Sequence, residues 1–153
     1  WHSNSFKIVD TNSIQHKFAK ETTKYVFDAI QTYGWVLEPK KVICSEMWAI
    51  INKKNNFNVR HTHPNCNLSA AYYVKAPNDC GKFTIENPNS ISKHSYPFSN
   101  RKTQFNSKIE KLEIAEGDLL IFPAYLPHGV EENKSAEDRI VISFNIIINN
   151  FQN

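Results

Sequence analysis

The 153 residues include 18 Lys and Arg against 15 Asp and Glu, a net charge of +3, with 41% apolar and 22% charged side chains. That balance belongs to a folded globular chain rather than a disordered one, and no run approaches the roughly 20 apolar residues of a membrane span. Only three of the basic residues are Arg and none cluster into a face, so no nucleic-acid partner is expected.

The chain begins at Trp1 rather than Met, which leaves room for residues before it, and its first residues show no signal peptide. Residues 13–33 are expected to form the one long amphipathic helix, because Ile14, Phe18, Tyr25, Val26, Ala29, Ile30 and Tyr33 recur at helical spacing. Asn12 or Ser13 caps its start and Gly34 closes its end. After Pro39 the pattern changes to short extended runs. Strands are expected at 41–44, 47–52, 57–63, 67–75, 82–86, 108–114, 119–122, 128–131 and 139–148. Polar turns separate them at 53–56, 76–79, 116–118 and 132–138, and residues 87–103 form a long loop. A parallel α/β fold would need helices between these strands, and the sequence has none there. The expected fold is therefore mainly β: a double-stranded β-helix, the jelly roll of two facing sheets, with the N-terminal α-helix packed outside. One domain spans 1–153, with a helical extension over 1–38 and the β-helix core over 39–153.

Cys44, Cys66 and Cys80 are odd in number and share no repeated spacing, so they do not read as a disulfide framework. A reducing, cytoplasmic setting is expected. Cys66, near two histidines, reads as an inert thiol rather than a ligand.

The chemistry begins at His61-Thr62-His63. Two residues apart on a strand, these imidazoles share a face and can share a metal; alone, the pair is a weak signal and reads rather as two exposed histidines at a strand end. His128 follows a strand ending at Pro123 and a tight loop, at the inner mouth of a sheet. Together the three histidines make a facial ligand set that leaves positions open for substrate and oxygen. On the last strand, Arg139, Val141, Ser143 and Asn145 share one face, with Ile140, Ile142, Phe144 and Ile146 on the other. A cation, a hydroxyl and an amide facing inward require a ligand or a network. Arg139 suits a carboxylate through its planar fork; a surface ion pair with Glu131 or Glu137 is the alternative.

From His61 to Phe144 the chain resembles the Fe(II)/2-oxoglutarate-dependent oxygenase superfamily, and within it the 2OG-Fe(II) oxygenase family with an H-x-H-P…S-x-x-Y-Y pattern. The matching residues are His61-Thr62-His63-Pro64, Leu68 to Val74, Glu86-Asn87-Pro88, Gly117 to Pro123, Leu126, His128-Gly129-Val130 and Arg139 to Asn145. The resemblance covers a little over half the chain. It implies a single oxygenase-like domain that binds Fe(II) and takes 2-oxoglutarate and O2 as cosubstrates. Hydroxylation of an unidentified prime substrate, protein side chain or small molecule, then releases succinate and CO2. It also implies His61 and His128 as the two histidine ligands of iron, Arg139 as partner of the far carboxylate of 2-oxoglutarate, and Tyr73 with Ser143 beside that cosubstrate. One departure stands out: His63 occupies the position where most of the superfamily has Asp or Glu. It is expected to ligate the metal directly, with an outer position beside a water as the alternative.

Two other readings compete. A cupin with a three-His metal shares the barrel and the late Gly117…Pro123…His128 spacing, but has Asn67 where its first motif supplies Glu, Tyr125 in place of an internal Gly, and no use for the Arg139 strand. A non-enzymatic module that kept the barrel without the chemistry is the other. Near the mouth, residues 87–103, with His94 and Tyr96 as a lid, and a hairpin at 48–57 are expected to meet the prime substrate. Trp35 and Trp48 are platform candidates, while His2 and His16 are assigned no role. The apolar Ile146-Ile147-Ile148 run reads either as an edge that pairs with a second copy in a homodimer or as a buried strand.

Overall fold

The computed structural model describes residues 1–6, 10–35, 42–89, 100, 101, 103 and 106–149. The helix forms where its apolar spacing requires it: α1 spans Ile14–Thr32, and the Ser13 side chain accepts the His16 N–H at its start. Gly34, just past Tyr33, takes φ +69°, the left-handed turn that ends helices at little cost for glycine. Thr22, Val26 and Ile30 form its buried stripe.

Eight strands follow among the described residues: β1 Val42–Asn52, β2 Asn58–His61, β3 Leu68–Lys75, β4 Phe83–Glu86, β5 Ile109–Leu112, β6 Leu119–Pro123, β7 His128–Val130 and β8 Arg139–Ile148. They pair antiparallel into two four-stranded sheets, ordered β1-β8-β3-β6 and β2-β7-β4-β5. Consecutive strands alternate between the sheets except β4 and β5, which pair with each other, and the result is the expected double-stranded β-helix with its helix outside. Among the described residues no helix is long and apolar enough to cross a membrane.

The β1-β8-β3-β6 sheet has two working faces. Its outer face carries Met47, Leu68, Ala70, Phe144 and Ile146, which pack against Val26 and Ile30 of α1. The Phe18 ring meets Phe144 edge-on at 6.0 Å and Tyr72 at 5.3 Å. Alternation then sends Ser69, Ala71 and Tyr73 of β3 and Arg139, Val141, Ser143 and Asn145 of β8 to the inner face, where all of them line one cavity.

Several expectations change. The strands expected at 41–44 and 47–52 are one strand, with a bulge between Cys44 and Glu46 that shifts its register against β8. There is no hairpin at 48–57: β1 pairs with β8 and β2 with β7, so the 53–56 turn carries the chain from one sheet to the other. Nor is Ile146–Ile148 an edge. β8 lies between β1 and β3, and these residues pair with Cys44, Ile43 and Val42. The homodimer expectation therefore loses the surface it rested on. The outer side of β1 is itself occupied by the N-terminal residues: Ser3 N–H donates to Ala49 O at 2.9 Å and Ile51 N–H to Trp1 O at 2.8 Å. His94 and Tyr96, the expected lid, lie outside the described residues.

Candidate active site

The imidazoles converge from two neighbouring strands and a loop. His61 closes β2, His128 opens β7, and the two are partners across that ladder. His63 is not on the strand; β2 ends two residues before it. A backbone bond pins it instead, the His63 N–H donating to Ala124 O at 3.0 Å. Ala124 belongs to the tight loop that leads to His128, closed by Leu126 N–H donating to Pro123 O at 3.0 Å. Shared-face spacing on a strand is thus not what aligns His61 with His63: one is set by the ladder, the other by the His128 loop.

The donor atoms of His61, His63 and His128 all lie within 4.8 Å of one another. The ring Nδ1 of His61 meets Val59 O at 2.8 Å, and that of His128 meets Leu126 O at 2.8 Å. A carbonyl can only accept, so both Nδ1 atoms carry their protons and both Nε2 lone pairs are free for the centre of the trio. His63 Nε2 lies 3.3 Å from His128 Nε2. Two nitrogens about 2.0–2.1 Å from a common metal lie roughly 2.8–3.4 Å apart for angles between square and tetrahedral, so this pair fits a shared cation. Burial first, and then neighbouring imidazoles, push His63 down to about 4, and burial pushes His128 down to about 4 despite its bond to Leu126. Both rings are therefore neutral near pH 7, the form that ligates metals.

On the opposite wall Arg139 has no exposed surface. Its guanidinium donates to Cys80 O, to Glu131 O at 3.1 Å and to Asn58 Oδ1 at 3.4 Å. Gly81 makes that cradle: at φ +88°, a Cβ there would meet Glu131 O at 2.4 Å, so only glycine lets the two backbones come together under the guanidinium. The surface ion pair weighed for Arg139 does not form. Glu131 pairs with Lys111 at 2.5 Å, Glu137 with Lys75 at 2.7 Å, and among the described residues no carboxylate pairs with Arg139. Its Nε has no partner, and neither do the buried Tyr73 hydroxyl and Asn52 Oδ1. Tyr73, fully buried, is held well above its ordinary pKa by burial. A buried cation without counter-charge, ringed by unpartnered polar atoms, is costly unless a ligand completes it.

The His trio, Arg139, Tyr73 and Ser143 line a single cavity of about 1120 Å³. Trp48 lines it too, its ring centroid 5.8 Å from that of His63. Trp35 stacks instead on Tyr33 at 5.1 Å. Cys66 stands outside the trio, its Sγ 3.6 Å from His63 O. Asn67 accepts from Ile148 N–H at 2.7 Å and does not line the cavity, which leaves the cupin-type arrangement without its fourth donor. Sequence reasoning missed three contributors. His2 was given no role, yet it lines the cavity and stacks on Trp48 at 5.7 Å. Glu46, left between the two strands expected at 41–44 and 47–52, belongs to β1 and lines the cavity on the face of Trp48, Ile50 and Asn52. Asn133 looked like part of a solvated turn. It is fully buried and donates to Asn52 O at 2.9 Å and Glu137 O at 2.8 Å, tying down the turn before Arg139. Nothing local in the sequence marks any of the three.

Comparison with known folds and families agrees with this geometry. Solved structures resemble the chain over most of its length. An oxidoreductase of the 2OG-Fe(II) oxygenase family from Burkholderia pseudomallei aligns at 13% identity and a TM-score of 0.63, covering 89% of this chain and 57% of its own. A Pseudomonas putida prolyl-4-hydroxylase aligns at 14% and 0.60, covering 94% of this chain and 70% of its own. HygX from Streptomyces hygroscopicus, with nickel and 2-oxoglutarate bound, aligns at 11% and 0.61, covering 97% and 70%. At such identities the likeness is one of fold, and the chain spans under two thirds of the length of the Burkholderia protein. No curated protein matches. The family model described as "Putative 2OG-Fe(II) oxygenase" matches residues 46–145, from the β1 bulge to the inward Asn of β8. With that match over most of the chain, this protein belongs to the 2OG-Fe(II) oxygenase family.

Proposed function

We propose that the protein is an Fe(II)- and 2-oxoglutarate-dependent dioxygenase that hydroxylates a prime substrate. The observation that carries the reading is Arg139, fully buried and without a carboxylate partner among the described residues, on the wall of the cavity that holds the three histidines. A dicarboxylate supplies the missing counter-charge at one end and reaches the metal with the other. His61, His63 and His128 are assigned as the metal ligands, and Arg139, Tyr73 and Ser143 as the keto-acid site.

Iron and the keto acid, when bound, supply two-electron oxidation by O2, one oxygen leaving in succinate beside CO2 and the other entering a C–H bond. The chain's own part is placement. The Cys80 and Glu131 carbonyls and Asn58 hold the guanidinium in one orientation, leaving Nε toward the ligand. The Tyr73 hydroxyl, far from titrating, donates a hydrogen bond to the far carboxylate. Phe83 and Phe122 close the His128 side, their ring centroids 5.6 Å and 4.5 Å from the imidazole, and keep water from that flank. A cavity of about 1120 Å³ exceeds what a five-carbon acid fills and leaves room for part of the prime substrate. The free thiols of Cys44, Cys66 and Cys80 support the expected reducing, cytoplasmic setting.

The deciding experiment is an anaerobic Fe(II) titration with and without 2-oxoglutarate, following the visible band of the chelate. The band is expected in the wild-type protein and absent in Arg139→Ala and His128→Ala. Iron binding without any response to 2-oxoglutarate would overturn the assignment.

A further inference from the structure

The keto acid accounts for one end of the cavity. The other end lies six residues along β8, roughly 20 Å away, and holds a second polar network. Asn145 and Ser69 are buried there, 5% and 1% exposed. Ser69 Oγ donates to Asn145 Oδ1 at 2.6 Å, and Asn145 Nδ2 donates to a carboxylate oxygen of Glu46 at 3.1 Å. The amide is thereby fixed at both ends, and it holds the carboxylate at the open mouth.

Glu46 shares the cavity face with Trp48, Ile50 and Asn52 through the regular alternation of β1 from Glu46 onward. Cys44 and Met47 face the helix, and the bulge between Cys44 and Glu46 puts these two residues, two apart, on opposite faces. Glu46 is the only carboxylate among the described residues lining the cavity, and no Lys or Arg among them pairs with it. Trp48, the next residue on that face, lies roughly 7 Å inward, its ring between those of His2 and His63 and its indole Nε1 without a partner. An exposed carboxylate with no basic partner, fixed on a cavity wall by a buried amide, recognises an organic cation through charge-assisted hydrogen bonds.

We propose that Glu46 forms the prime-substrate subsite and takes the ammonium or guanidinium group of a cationic substrate, with Ser69 and Asn145 positioning the carboxylate. An aliphatic stem running inward past Trp48 then brings a carbon to the His trio. The proposal rests on the oxygenase reading, because it treats the Arg139 end as filled by the keto acid. A carboxylate present only to satisfy the Asn145 amide binds no cation, and that difference is measurable.

The test is calorimetric titration of the metal-free protein with n-hexylammonium chloride, beside hexan-1-ol as the neutral control. Glu46→Gln is the variant, since it keeps an acceptor for Asn145 and sits at an exposed position. Hexylammonium is expected to bind the wild type and to lose fivefold or more in affinity in E46Q, while the alcohol does not distinguish the two proteins. A smaller loss, or no hexylammonium binding to the wild type, overturns the proposal. The Fe(II)/2-oxoglutarate band of the wild-type protein decides the oxygenase reading separately. The two assays share no reagent, so either can fail without the other.

Discussion

Tyr73 gives opposite signs in two measurements. Its hydroxyl is buried without a partner, so Tyr73→Phe removes a desolvated polar atom at little cost in packing. The variant is expected to unfold in urea at equal or higher stability, by up to about 1–2 kcal/mol. It is also expected to bind 2-oxoglutarate roughly 5–10-fold more weakly, through loss of one hydrogen bond. A destabilised Tyr73→Phe would show that the hydroxyl already has a partner. Arg139→Ala removes a charge-assisted fork and should weaken 2-oxoglutarate binding by about 10–100-fold; Arg139→Lys keeps the charge and should recover part of that. His63 is tested by two replacements. His63→Asp should retain iron, and His63→Ala should lose tenfold or more in a competition titration; unchanged affinity in the alanine variant would falsify direct ligation. All these residues were legible from their types and order. Their environment was not: that Arg139 lacks a counter-ion depends on where Lys75 and Lys111 reach, and neither is near it in sequence.

Between strands, backbone geometry decides the site. Gly81 allows the Cys80 and Glu131 carbonyls to meet the same guanidinium. Gly81→Ala forces a side chain into φ +88° and into Glu131 O. It should cost at least about 2 kcal/mol in urea unfolding and raise the 2-oxoglutarate dissociation constant with it. The outer helix belongs to the same cooperative unit, because Ile30 is fully buried against β8 and β3. Ile30→Ala should lower stability by roughly 2–5 kcal/mol in a single transition; two separate transitions would show an independent extension. Strand positions and the β8 alternation could be read from period-two patterning. The bulge between Cys44 and Glu46 could not, because the polar Ser45-Glu46 pair reads as a break between two strands, whereas pairing with β8 carries one strand through it. The expected hairpin failed for a related reason: a short polar turn is compatible with either a tight reversal or a passage between sheets.

Across the whole molecule, the two sheets hold two ends of one cavity about 20 Å apart by strand rise, with the histidines between them. Ligand binding should therefore stabilise the entire fold. Saturating 2-oxoglutarate with Mn(II), at about 100 times the dissociation constant, adds roughly 2.7 kcal/mol and should raise Tm by about 5–10 °C. At the same concentration Arg139→Ala should keep only about 0.4–1.4 kcal/mol of the keto acid's share, and a full shift in that variant would contradict the cosubstrate site. From sequence alone came the elements, the mainly β class, the alternation that turns Arg139, Ser143 and Asn145 inward, and the three histidines as one set. These are consequences of local periodicity and residue chemistry, which a single strand or helix expresses by itself. Only the tertiary structure decided that β8 is a central strand and not an edge. It also decided that His63 is held by the His128 loop, that Glu46 faces the cavity and that Arg139 is buried without a carboxylate. Each of these depends on which distant segments pack together, and no local pattern carries that information.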